Sequence, residues 1–223
     1  MALVVAFQGE NGAYSQEAIY QVFGRETPTL ACHTLKEIFE AIEAGRATHG
    51  MLPVENSTAG SINQSYDLLL DYDLKIWQEV ALRVRHCLLA PPGVEMADVR
   101  QVRSHPQALA QCERYLADRG LEPISYYDTA GAARELAADP APATAAIASR
   151  LAGELYGLQV LASDIEDLNS NCTRFFILST DDPQQSDRCK TSVVFATRHV
   201  PRALYGCLGE FAERDINLCK LES

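Results

Sequence analysis

No stretch of this chain approaches the roughly 20 consecutive apolar residues that a membrane helix needs, which excludes a spanning helix from the reading. Basic charge is scarce. There are 19 Lys and Arg against 30 Asp and Glu, a formal net charge of −11, and the cations form no stripe. A nucleic-acid binder needs local Lys/Arg clusters against phosphate, and an anionic membrane repels such a surface. The seven cysteines (32, 87, 112, 172, 189, 207 and 219) are widely spaced and contain no C-x-x-C. That disfavours a disulfide framework and points to reduced thiols. The five histidines form neither H-x-H nor H-E-x-x-H, so a structural zinc site has no support. Gly9 and Gly12 stand in a G-x-x-G spacing without a third glycine, and no G-x-x-x-x-G-K-[ST] occurs, so nucleotide binding is weakly supported. The opening M-A-L-V-V-A-F-Q-G has no basic region and no A-x-A-like site. It reads as a first strand and not a signal peptide, with a cytoplasmic chain as the expectation.

What is present is a core-forming chain: 223 residues, 47% hydrophobic and 22% charged, enough for one large domain or two small ones. Short apolar runs alternate with helix-period segments. Leu3–Phe7, Thr29–Cys32 and Gly50–Val54 read as strands, with helices after the first two. Thr34-Leu-Lys-Glu37 is a capping box, and Leu35, Ile38, Phe39 and Ile42 share one helical face behind it. A helix carrying Ile62, Tyr66, Leu69 and Leu70 follows. In Lys75–Leu89, Val80, Leu82 and Val84 alternate with polar or small residues, a strand period in a segment long enough to cross into a second subdomain. The pattern then repeats: strands at Val99–Arg103, Ile124–Tyr127, Ala145–Ser149 and Thr173–Ser179, and helices at Ala108–Leu116, from an N-cap at Thr129 to about Ala138, and up to Tyr156. Residues 181–190 read as a linker, then Ser192–Ala196, Pro201–Glu213 and Ile216–Leu221 as one β-α-β unit. Such alternation means an α/β class with largely parallel sheets.

In parallel α/β sheets ligands bind beyond the carboxyl ends of strands. Four loops there are rich in small polar residues: Gly9–Ser15, Glu55–Ser61, Ser104–Gln107 and Asp128–Ala132. Each alone reads as helix capping. Together they suit a two-lobed cleft for a small anion. Arg174, at the head of an apolar strand, needs a partner. That partner is either a carboxylate such as Asp164, Glu166 or Asp167, or a substrate carboxylate held by the guanidinium fork. Thr173 faces the opposite way if the segment is extended. His105 reads as a loop-fixing group or a general base. Cys112 and Cys172 have no evident neighbouring base.

The ordered set G-E-N-G-A-Y-S-Q-E-A (9–18), P-V-E-N-S-x-x-G (53–60), S-H-P-Q-A-L-A-Q-C (104–112), T-A-G-A-A (129–133), Y-G-L (156–158) and N-x-T-R-F (171–175) resembles prephenate dehydratase. Residues 190–223 are similar to the start of that family's ACT-type regulatory domain. The resemblance implies two α/β subdomains around a cleft, like the type II periplasmic binding proteins, followed by a partial β-α-β ACT-like unit. The implied bounds are 1–180 for the catalytic domain (about 1–75 plus 160–180, and 76–159), 181–190 for the linker and 191–223 for the regulatory part.

The implied reaction turns prephenate into phenylpyruvate for L-phenylalanine biosynthesis, by loss of CO2 and the ring hydroxyl, without metal or organic cofactor. Arogenate dehydratase, or a non-catalytic binder of aromatic acids, is the alternative. By matched position Thr173 is the key hydroxyl, Asn56, Ser104 and Gln111 orient, and Glu55 stands near them. Arg174, Ser15, Ser57, Thr58, Gln107, Phe175 and Thr129 are implied to bind substrate. Ala203, Leu204, Glu222 and Ser223 match effector positions, but Arg202 replaces a family glycine, which weakens the expectation of L-phenylalanine control. A homodimer or higher homo-oligomer is the expected assembly.

Overall fold

The computed structural model describes residues 2–183 and 189–222. The chain divides into two compact units, 1–184 and 185–223.

The first unit contains two mixed sheets. In the first, β1 (Val5–Gln8), β2 (Thr29–Cys32), β3 (His49–Asn56), β5 (Lys75–Arg83) and β11 (Cys172–Ser179) lie in the order β2-β1-β3-β11-β5, with the short β4 (Gly60–Ser61) folded back on β3. In the second, β6 (Cys87–Ala90), β7 (Gln101–Ser104), β8 (Glu122–Ser125), β9 (Thr144–Ala148) and β10 (Gln159–Ser163) lie in the order β10-β6-β9-β7-β8. The sheets are less parallel than the alternation suggests. β11 runs antiparallel to both β3 and β5, and β6 runs antiparallel to both β9 and β10. These exceptions are strands that cross or return between the lobes without an intervening helix, which leaves antiparallel pairing open to them.

Local signals explain most elements. The helix α1 (Tyr14–Phe23) follows β1. In α2 (Leu35–Glu43) the Thr34 hydroxyl accepts from the Glu37 N–H (3.2 Å), and the Glu37 carboxylate accepts from the His33 N–H (2.9 Å). Leu35, Ile38, Phe39 and Ile42 are buried against the first sheet, each worth about 1.5–3 kcal/mol of burial. In α3 (Asn63–Asp71) Ser65 and Leu68 are buried and the expected Ile62, Tyr66 and Leu69 pack against the same core, whereas Leu70 is exposed. The helix expected over 108–116 is two, α4 (Pro106–Ala110) and α5 (Glu113–Asp118). The break has a cause. The Asp167 N–H takes the Gln111 carbonyl (2.7 Å), and the Asp167 carboxylate accepts from the Arg114 N–H (3.2 Å) in the first turn of α5. The cap of α6 (Thr129–Ala138) is Asp128, whose carboxylate accepts from the Gly131 N–H (2.6 Å), and Thr129 is the first helical residue instead. The helix α7 (Arg150–Tyr156) is capped by Ser149.

The lobes exchange chain twice, through residues 84–86 and 164–171. β5 therefore stays with the first sheet and β10 with the second, which moves the expected boundaries at 75/76 and 159/160. The two crossings pair with each other: the Val84 N–H donates to the Asn171 carbonyl (2.9 Å) and the Ile165 N–H to the His86 carbonyl (3.2 Å). One apolar core runs through both lobes, from Phe7, Ile19, Phe175 and Ile177 of the first to Leu89, Leu136 and Ala148 of the second. Gly12 seals that contact. Its φ is +90°, and a Cβ there would lie 2.8 Å from the Ala152 Cα.

Among the described residues of the second unit only α8 (Ala203–Ala212) is regular, and it buries no residue. The strands expected at Ser192–Ala196 and Ile216–Leu221 do not form among the described residues. A strand needs a ladder partner and a covered apolar face, and these segments have neither. Val194, Leu204, Tyr205 and Leu221 are exposed. Residues 184–188 of the expected linker, and Ser223, lie outside the described residues.

Candidate active site

Thr173 and Arg174 begin β11 and face opposite ways, as the strand period requires. Arg174 lies over the Phe176 ring, 5.1 Å from its centre, on the α2 side of the sheet. Its guanidinium pairs with Glu55 of β3 (2.9 Å) and Glu79 of β5 (3.1 Å), the two strands that flank it. The partner of Arg174 is thus a pair of carboxylates. They are not Asp164, Glu166 or Asp167. Asp164 pairs with Arg85 (3.3 Å) and Glu166 with Arg83 (3.6 Å). In this structure the Arg174 guanidinium is taken up by these two carboxylates, and Glu55 lies with it on the face opposite Thr173.

Thr173 meets a different set. The Asn56 amide nitrogen donates to the Thr173 hydroxyl (3.0 Å) and to the Asn171 side-chain oxygen (3.0 Å). The Asn56 oxygen accepts from the backbone N–H groups of Thr58 and Ala59 (both 3.1 Å) and from the Thr58 hydroxyl (2.6 Å). Gln111, at the break between α4 and α5 in the second lobe, donates from its amide nitrogen to Thr58 Oγ1 (2.6 Å). Its oxygen accepts from Asn171 (3.0 Å) and contacts His86 Nε2 (2.8 Å). His86 Nδ1 lies 2.7 Å from the Tyr14 hydroxyl. The His86 N–H donates to the buried Glu166 carboxylate (2.9 Å). Burial lowers the His86 pKa, opposed by the Gln111 contact and Glu166, so the ring is neutral at pH 7. Burial foremost raises the pKa of Tyr14, which keeps its proton.

The structure therefore brings Thr173, Asn56, Gln111 and Thr58 together and leaves other expected residues apart. Ser104 is fully buried and gives its hydroxyl to the Ile147 carbonyl (2.6 Å) on the next strand. Phe175 is a core residue, 1% exposed, and has no face toward a ligand. Ser57 ties the 57–61 turn to β11, accepting from the Cys172 N–H (3.0 Å) and donating to the Ser170 carbonyl (3.2 Å). Ser15, Gln107 and Thr129 take no part in the network. Two of the four polar loops cap the helix that follows, the Gln107 N–H meeting His105 Nδ1 (3.2 Å) and the Gly131 N–H meeting Asp128 (2.6 Å), while in the other two the Gly12 N–H donates to the Gln16 side chain (2.6 Å) and Asn56 holds its own turn through the Thr58 N–H (3.1 Å). Loop 9–12 is further docked on the second lobe: Ser149 donates to the Gly12 carbonyl (2.6 Å), Tyr156 to the Asn11 carbonyl (2.6 Å), and Arg134 pairs with Glu10 (2.6 Å).

Tyr14, His86 and Asn171 are the members that sequence reasoning missed. Tyr14 and Asn171 sit inside the quoted motifs. His86 had one local signal, a lone polar ring between an alternating strand and the wholly buried run Cys87–Ala90. Among the described residues no group of three or more His, Cys, Asp or Glu could hold a metal, and no helix is long and apolar enough to cross a membrane.

The model of the prephenate dehydratase family matches residues 5–183. The chain is 45% identical over 221 residues to arogenate dehydratase/prephenate dehydratase 2, chloroplastic, of Arabidopsis thaliana, covering 98% of this chain and 58% of that protein. It is 40% identical over 223 residues to the bifunctional N-acyl-homoserine lactone acylase/prephenate dehydratase of Komagataeibacter europaeus, covering 99% and 79%. Among solved structures it resembles the prephenate dehydratase of Arthrobacter aurescens in complex with L-Phe, with TM-score 0.86 and 30% identity over 99% of this chain and 76% of that one. The chain thus spans less than two thirds of the A. thaliana relative's length.

Proposed function

Because the chain belongs to the prephenate dehydratase family, we propose that it converts prephenate to phenylpyruvate, a carbon–oxygen lyase step in L-phenylalanine biosynthesis. The bond from the ring to its hydroxyl oxygen breaks. The electron pair joining the ring to its carboxylate moves into the ring, which becomes aromatic, and CO2 departs. The expelled oxygen gains a proton that solvent ultimately supplies, and leaves as water.

One observation carries this reading. The Thr173 hydroxyl accepts from Asn56, and its own hydrogen has no acceptor among the described residues. It is a donor with no protein partner to give up. A threonine is too weak an acid to surrender its proton outright, so its part is to hydrogen-bond the departing oxygen as charge develops there. Asn56 and Thr58 hold it, and Gln111 has a second amide hydrogen to offer a substrate oxygen. Arogenate as substrate is the second reading, favoured by the 45% identity to a relative whose name carries both activities.

We assign the chain to the cytoplasm on its acidic composition and reduced-thiol pattern, although the A. thaliana relative is named chloroplastic. The exposed Val194, Tyr205 and Leu221 support a homo-oligomer formed through the second unit, whereas an L-phenylalanine effector site there has only the A. aurescens complex behind it and is weakened by Arg202 in place of the family glycine. The deciding experiment adds prephenate at neutral pH and follows phenylpyruvate absorbance in alkali, with arogenate and phenylalanine detection in parallel. Turnover of either substrate supports the family reaction and chooses between the readings. Turnover of neither overturns both.

A further inference from the structure

The side chains around Thr173 can be oriented by logic alone. Backbone N–H groups only donate, so the two that meet Asn56 fix which end of its amide is oxygen. The Asn56 nitrogen then faces Asn171, which turns the Asn171 oxygen toward Asn56 and its nitrogen toward Gln111. Gln111 must therefore present its oxygen to Asn171 and its nitrogen to Thr58. Thr58, receiving from Gln111, gives its own hydrogen to Asn56. His86 Nε2 faces the same Gln111 oxygen, so it carries the ring hydrogen, and in the neutral ring Nδ1 accepts from the Tyr14 hydroxyl at 2.7 Å, the shorter of that hydroxyl's two contacts, the Arg85 carbonyl lying at 3.2 Å.

Along one path each donor points toward Thr173, from Tyr14 to His86, His86 to Gln111, Gln111 to Thr58, Thr58 to Asn56 and Asn56 to Thr173, while Asn171 closes a side ring by accepting from Asn56 and donating back to Gln111. The last hydrogen, on Thr173, has no acceptor among the described residues. We propose that His86 and Tyr14 are positioning residues for the reaction, heading a unidirectional hydrogen-bond chain that ends in the Thr173 hydroxyl. The inference rests on the reading of Thr173 given above. Aligned hydrogen bonds polarise one another, so each donor upstream strengthens the one below it. The chain polarises and orients. It does not relay protons, because two of its links are amides. His86 is 2% exposed, and its backbone is clamped by Glu166, so the ring has little freedom to leave this register.

The test compares His86→Gln with His86→Asn in the whole chain. Glutamine places an N–H where Nε2 stood and asparagine does not, while both are polar and uncharged. His86→Gln should keep kcat within about three-fold of the parent, and His86→Asn should lose about ten-fold with KM changed less than two-fold. In a Thr173→Ala background, where kcat is already down about 10²–10³-fold, the two His86 variants should differ by less than about two-fold. Equal kcat for the two His86 variants, with Thr173→Ala crippled, overturns this proposal alone. Full activity of Thr173→Ala overturns the site reading and the proposal with it. Should His86→Asn not fold, Tyr14→Phe decides: a kcat about two- to five-fold lower at unchanged KM supports the chain, and an unchanged kcat overturns it.

Discussion

Gln111 of the second lobe reaches Thr58 of the first with a 2.6 Å hydrogen bond. Thr58 is exposed, yet its hydroxyl is the link between Gln111 and Asn56. Thr58→Val keeps shape and removes the link. It should lower kcat about ten-fold, the worth of roughly one well-made hydrogen bond, with the melting temperature within a degree or two. Steady-state kinetics beside a thermal melt checks it. A large drop in melting temperature with kcat intact would assign Thr58 to the fold instead.

The shared core makes the lobes one body, and Gly12 is its most constrained point. A Cβ at residue 12 meets Ala152 backbone, and φ of +90° strains any side chain. Gly12→Ala should cost about 2–4 kcal/mol, more than a usual substitution. Urea denaturation measures it. A cost below about 1 kcal/mol would mean that the lobes yield easily at this contact.

Arg174 sits between Glu55 and Glu79, and removing it leaves two partly buried carboxylates facing one another. Arg174→Met should lower stability by about 1–3 kcal/mol while KM moves less than kcat and stability together. A KM increase at unchanged melting temperature would return Arg174 to the substrate.

His86 is held below the ordinary histidine pKa by burial. Between that lowered value and about 6.5, the unfolded chain binds a proton that the folded chain refuses. Stability is therefore complete above about 6.5 and declines as pH falls through this window. His49 is lowered by burial too and adds to the same slope. Melting temperatures from about pH 7.5 to 5.5 should fall less steeply for His86→Gln than for the parent. Identical slopes would mean that His86 is not buried as a neutral ring.

In the second unit Arg202 occupies φ +69°, a conformation that suits glycine. Among the described residues no strand covers Ala203 and Leu204, and Glu222 is paired with Lys220 (3.1 Å). L-phenylalanine should therefore neither inhibit this chain nor raise its melting temperature. Calorimetric titration with saturable micromolar binding, mapped to residues 200–222, is the contrary result.

The parts legible in sequence are those set by neighbours in the chain. The Thr34 cap and the Leu35–Ile42 stripe needed only the helix period, and the opposed facing of Thr173 and Arg174 needed only the strand period. The partners of Arg174 were out of reach, since Glu55 lies 119 residues away and meets it only because β11 inserts beside β3. His86 was hidden for the same reason. Its meaning depends on Gln111, which is exposed to it by a helix break that Asp167 imposes from the second crossing. The tail misled because its apolar periodicity is that of strands, while the ladder that would make them strands is not formed.

The central claim is that the Thr173 hydroxyl acts on the departing oxygen. Its most direct measurement is kcat for prephenate in Thr173→Val, which removes the hydroxyl at nearly constant volume, and in Thr173→Ser, which keeps the hydroxyl and loses a methyl group. The account predicts a loss of about 10²–10³ for valine, with recovery to within about ten-fold of the parent for serine. A valine variant retaining more than half the parent kcat would contradict it.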